Sequence, residues 1–152
     1  MFKNITVKNK ISKLDLSNTG AFNVYSSDSA NGGIIGKCNN AEFKISNDNP
    51  KFVIFGDHTR ALNIAKTDFS VTDNVKVLKP IIYSTNALLY IFAVWKKAIP
   101  NLGYARHWKV ANAVILKLPT YENGEIAFEF MEKYILNLKN QSAKFITMSK
   151  QI

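Results

Sequence analysis

Residues 51–60 read KFVIFGDHTR. The apolar run from Phe52 to Phe55 is compact and rich in aromatic and β-branched residues, which predicts a strand buried on both faces. Gly56 permits a tight turn or bulge, and Asp57, His58, Thr59 and Arg60 follow at the strand's end. There the polar side chains emerge on a rim, which is where rigid scaffolds carry binding groups. The chain has only two arginines, Arg60 and Arg106, and only two histidines, His58 and His107. All four lie in this stretch and in GYARHWK, residues 103–109.

The segments around this strand read as further short strands. FNVYS (22–26) alternates and runs into the polar, glycine-rich SDSANGG (27–33). IIGKC (34–38) follows, then AEFKIS (41–46), whose clean alternation predicts another strand, stopped by NDNP. LNIAKTDFSV (62–71) and VKVLKP (75–80) continue the pattern as far as Pro80. The texture then becomes helical. STNALLYIFAVWKKAI (84–99) has a cap at Ser84 or Thr85, and its spacing puts Leu88, Leu89, Phe92 and Trp95 on one face. Lys96 and Lys97 fall in the last turn, where cations complement the helix dipole, and Pro100 ends the helix. AVILKLP (113–119) reads as an extended segment, and a long helix is expected after Gly124. Strands first and helices second is an α+β order.

The last helix carries Met131, Ile135, Leu138, Ser142, Phe145, Ser149 and Ile152 at alternating spacings of four and three, a heptad-like seam. Its first half is expected to dock on the domain. Its second half, from Asn140, is expected to begin a helix that pairs with another helix. The organisation expected is therefore residues 1–124 as one domain and 125–152 as the start of a pairing helix.

The chain has 152 residues, of which 47% are hydrophobic, enough for one core without staples. Its single cysteine, Cys38, precludes an internal disulfide and fits a reducing compartment. No signal-like apolar run opens the sequence, and Ala87–Val94 is too short to span a bilayer, so the expected location is cytoplasmic. Net charge is +9, and from residue 74 to 121 seven cations occur without a single acid. Such a stretch builds a positive surface that attracts polyanions through phosphate contacts. The plainer alternative is a solvated lysine surface.

Arg60 offers a planar fork suited to guanine edges or to phosphate; its plainer role is an ion pair with Asp57 or Asp68. In GYARHWK, Arg106 and Lys109 are set to face a nucleic-acid backbone while Tyr104 and Trp108 pack beneath the surface, Trp108 in the core. Asp57, His58 and His107 together suggest a metal-dependent phosphoesterase, but two-metal sites need more converging carboxylates and imidazoles than this chain supplies. No nucleophile elbow or phosphate-cradling loop occurs. A third option is a non-catalytic protein-interaction module.

Taken in order, FNVYSSDSANGGIIGKC, FVIFGDHTR, FSVTDNVKVLKP and GYARHWK…ILKLP followed by a closing helix resemble a target recognition domain. Such domains belong to the DNA specificity subunits of type I restriction–modification systems and to related type IIG-like enzymes. The resemblance spans roughly residues 22 to 134 and implies a twisted, mostly antiparallel sheet with flanking helices and a long C-terminal helix. It implies double-stranded DNA recognition without catalysis or cofactor, on behalf of an adenine methyltransferase subunit and a restriction subunit, with homodimer pairing through the C-terminal helix as a further option. It also implies DNA contacts at Ser26, Ser27, Ser29 and Asn31 in the first loop, at Lys37 on the next strand, and at His58, Thr59 and Arg60. Tyr104, Arg106, His107 and Lys109 follow in the late segment. Commoner members carry a proline–histidine–leucine run there, which leaves the type of system open.

Overall fold

The computed structural model describes residues 1–149, with Met148 by its backbone alone. The elements in chain order are β1 (Phe2–Ile5), β2 (Phe22–Tyr25), β3 (Ile34–Cys38), β4 (Phe52–Gly56), β5 (Leu62–Ala65), β6 (Phe69–Val71), β7 (Val75–Pro80), α1 (Thr85–Ala98), α2 (Trp108–Ala113) and α3 (Phe128–Ser149), with short 3-10 turns at Lys13–Asp15 and Ala30–Gly33. The fold is α+β, as the segment order predicts. The strands form two sheets. One is antiparallel throughout, in the order β1-β7-β4-β5; the other runs β3-β2-β6, with β2 antiparallel to β3 and parallel to β6. Among the described residues no helix is long and apolar enough to cross a membrane.

The chain divides into two compact units. One comprises Met1–Ile81 with Ile99–Val114, and the other Ile82–Ala98 with Ile115–Ile152. The first unit holds both sheets, and its core draws on each of them. Tyr25 on β2 and Phe69 and Val71 on β6 meet Phe52 and Ile54 on β4, Ala65 on β5, and Val75 and Val77 on β7. Phe69 is the hub: Phe43 stacks on it at 4.9 Å, and Tyr25 and Phe52 meet it edge-on at 5.5 and 5.8 Å. Its ring is fully buried, a burial that contributes on the order of 2–3 kcal/mol. As its composition predicts, β4 is buried on both faces, since Val53 and Phe55 on the opposite side are equally inaccessible. Phe55 is covered by the half-buried Trp108 at 5.5 Å.

The segment 41–46 departs from its alternating pattern. It forms no strand and makes only isolated bridges, Phe43 to Phe69 and Ser46 to Asn49. The physical reason lies on its neighbour. Ser70 Oγ accepts the Glu42 N–H at 3.0 Å and Asp68 Oδ1 accepts the Ile45 N–H at 2.8 Å, so side chains take the donors a ladder would use. Phe43 still reaches the core. The run 113–119 is extended beyond α2 but joins no ladder, and only Thr120 bridges back, to Ile126.

In the second unit α1 lies against α3. Ser84 caps α1 by accepting the Ala87 N–H at 3.3 Å. Ala87, Leu88, Ile91, Phe92 and Trp95 are buried, whereas Leu89 sits at the edge of that face and is exposed. Tyr90 meets Tyr134 edge-on at 5.6 Å, and Lys139 Nζ donates to Asn86 Oδ1 at 2.7 Å. Along the expected seam Met131 is buried, Ile135 half-buried, and Leu138, Ser142, Phe145 and Ser149 are exposed. Ile152 lies outside the described residues. From Leu136 to Thr147 every residue is exposed.

Candidate nucleic-acid interface

The turn between β4 and β5 is built around a close approach of backbones. A Cβ on Gly56 would lie 2.9 Å from the Cα and the carbonyl oxygen of Ser27, so only glycine fits there. Gly56 N–H donates to Ala61 O and Arg60 N–H to Gly56 O, both at 2.9 Å, closing a four-residue loop. Arg60 occupies the left-handed region at φ 58°, the conformation this loop needs before β5 begins.

This loop ties down two segments that are distant in sequence. Thr59 Oγ1 donates to the carbonyl of Ser27 and accepts the Ala61 N–H at 3.1 Å, which fastens the first loop. The late segment is fastened more heavily. The backbone N–H and the ring Nδ1 of His107 each lie 2.9 Å from Asp57 O, and Leu102 N–H donates to His107 Nε2 at 3.0 Å. A carbonyl only accepts, so His107 carries its proton on Nδ1. Asp57 Oδ1 accepts the Trp108 N–H at 2.6 Å and so caps α2 from another part of the chain. His58 Nδ1 donates to Tyr104 O at 3.1 Å, and Arg60 Nη1 to Ile99 O at 2.9 Å.

The scarce imidazoles and one of the two guanidiniums therefore act as loop fasteners, because multivalent side-chain donors satisfy backbone carbonyls where no sheet can. Arg60 pairs with neither Asp57 nor Asp68; Asp68 is held by Lys44 at 3.1 Å. His107 is fully buried with both ring nitrogens engaged, so the expectation that it faces outward does not hold. Ser26 is nearly buried, its Oγ accepting the Asp28 N–H at 3.0 Å. Asn31 is exposed but turns its amide back onto Ile34 O at 3.1 Å. Ser29, Lys37 and Thr59 are exposed, while Ser27, His58 and Arg60 are half-buried.

What remains outward on the fastened segment is Tyr104, Arg106 and Lys109. Tyr104 is 98% exposed, and the two cations are exposed on either side of buried His107. Neither cation forms an ion pair among the described residues. The segment thus carries two cations without ion-pair partners among the described residues and one bare tyrosine, on a backbone held by hydrogen bonds. No family model, curated protein or solved structure matches this chain.

A metal centre at Asp57, His58 and His107 finds no support in the side chains. Among the described residues no three histidine, cysteine, aspartate or glutamate groups gather where one ion could sit. His107 spends both nitrogens within the chain, and Asp57 points an oxygen at Trp108 N–H. Next to the loop lies an open cleft of about 620 Å³, whose wall includes Ser26, Ser27, Thr59, Lys13, Asp73 and Asn74. The sequence offers no motif for it, since residues from five separate segments form its wall. Two carboxylates in the sheet unit titrate low. Glu42 is held below its ordinary value chiefly by a hydrogen bond from Asn9, and Asp68 chiefly by the Ile45 N–H, with Lys44 assisting.

Proposed function

We propose that this chain recognises double-stranded DNA in a sequence-specific manner and lends target specificity to a restriction–modification methyltransferase complex, without chemistry of its own. The observation that carries the reading is the pair of exposed, unpaired cations Arg106 and Lys109 on a segment locked to the β4–β5 loop, within the acid-free run of residues 74–121. A guanidinium on a fixed backbone reads base edges or clamps phosphate at the cost of ordering its own side chain but not the segment that carries it. The ordered series of segments resembling a target recognition domain supports the finer reading, with an adenine methyltransferase subunit as the partner that acts on the DNA.

The exposed apolar residues of α3 support pairing with another helix. Phe145 is 74% exposed and Ile146 54%. That helix would belong to a second copy or to a further recognition domain.

The test is duplex binding, with and without the methyltransferase subunit, across a salt series. Affinity should fall with salt at a log–log slope of about −0.9 per phosphate contacted. Lys109→Ala should weaken binding to all duplexes alike and reduce that slope by roughly one contact, whereas Arg106→Ala should also flatten the preference among sequences. Salt-independent binding, or variants indistinguishable from the parent chain, would reject the reading.

A further inference from the structure

We propose that Tyr104 is a wedge that enters the base stack of a duplex at a weak or interrupted step, so that the ligand is DNA with a bulge, a mismatch or an easily unstacked step. This inference rests on the DNA-binding reading and adds to it a choice among duplexes.

Tyr104 is 98% exposed, yet the backbone on both sides of it is held. Leu102 N–H donates to the buried ring of His107, Gly103 N–H to Asn101 Oδ1 at 3.1 Å, Ala105 N–H to Leu102 O at 3.3 Å, and Tyr104 O accepts from His58. Ile99, at the start of the segment, is anchored by Arg60. A side chain left bare on a floppy loop is unremarkable, because the loop's entropy opposes any use of it. Here hydrogen bonds hold the loop while the ring is left bare, so the ordering cost of inserting it falls mainly on two side-chain torsions.

Leu102, 42% exposed, adds apolar surface two residues away. Arg106 and Lys109 stand ready to hold phosphates flanking the point of entry. An aromatic ring stacks on every base without regard to sequence, so insertion by itself confers no base preference. Its favourability depends on how readily the step opens. Opening is least costly where a base is already unpaired or the step is flexible. The cations favour nucleic acid over a protein partner as the occupant.

The experiment uses the full chain and two duplexes of the same sequence, one intact and one with a single-nucleotide bulge flanked by 2-aminopurine. The parent chain should bind the bulged duplex roughly tenfold more tightly, a difference of about 1.4 kcal/mol at 25 °C, with a change in 2-aminopurine fluorescence. Tyr104→Ala should abolish the preference and the fluorescence change and leave the melting temperature unchanged; Tyr104→Phe should keep both signals. Arg106→Ala should weaken binding to both duplexes. If the parent chain binds both duplexes equally, or if Tyr104→Ala weakens both alike, the wedge is wrong while DNA binding stands. If neither duplex is bound at low salt, with or without the methyltransferase subunit, both readings fall.

Discussion

Replacing His107 by alanine should destabilise the sheet-bearing unit by about 2–4 kcal/mol, while Arg106→Ala, one residue earlier, should change stability by less than about 0.5 kcal/mol. The difference follows from where the two side chains sit. The His107 ring is fully buried, donates to Asp57 O at 2.9 Å and accepts the Leu102 N–H at 3.0 Å. Two neutral hydrogen bonds are worth about 1 kcal/mol each net, and the void left by an imidazole adds roughly 1–2 kcal/mol. Part of the loss is recovered, because Leu102 is 42% exposed and water can reach its N–H. Asp57 O also retains the His107 backbone N–H at 2.9 Å. At this chain length a loss of about 3 kcal/mol lowers the melting temperature by roughly 6–12 °C.

Calorimetry on both variants measures the difference, and amide exchange at Leu102 locates it. That amide should be protected in the parent chain despite lying in an exposed loop, and should lose protection in His107→Ala but not in Arg106→Ala. A His107→Ala shift below about 1 kcal/mol, with the Leu102 amide exchanging as before, would mean that the imidazole does not hold the segment.

Three other outcomes follow from the same geometry. Gly56→Ala should cost about 1–3 kcal/mol in chemical denaturation, since its Cβ would meet Ser27 backbone at 2.9 Å and backbone cannot yield cheaply. Arg60→Gly should be more stable than Arg60→Ala by about 1 kcal/mol, because both lose the bond to Ile99 O but only glycine is at ease at φ 58°; equal midpoints would argue against a left-handed Arg60. Asp68→Asn should flatten the acid limb of the stability curve. Its folded-state pKa is depressed, so its contribution is present above the ordinary carboxylate value of about 3.9 and is lost as pH falls through the lower folded value, a window that thermal melts between pH 5 and 2 will sample.

Much of the architecture was legible along the chain because it rests on local patterns. The apolar run Phe52–Phe55, read as a strand with both faces covered, is one, and IIGKC, VKVLKP and the capped, proline-ended helix α1 fall where their patterns put them. These patterns are written by the period of the backbone and need no knowledge of partners. The segment 41–46 shows the limit of that logic. Its alternation is as clean as any, but the side chains of Asp68 and Ser70 captured its N–H groups, and nothing within the segment itself announces that.

The same limit applies to the candidate site. Composition alone marked GDHTR and GYARHWK as special by concentrating all the histidine and arginine there. Which side chains face inward was decided only when the two segments, some fifty residues apart, folded onto each other. His107 then found Asp57 O and Leu102 N–H, and Arg60 found Ile99 O, while Tyr104, Arg106 and Lys109 were left outside. A polar side chain's direction is set by the nearest unsatisfied backbone group, and the position of that group belongs to the tertiary structure.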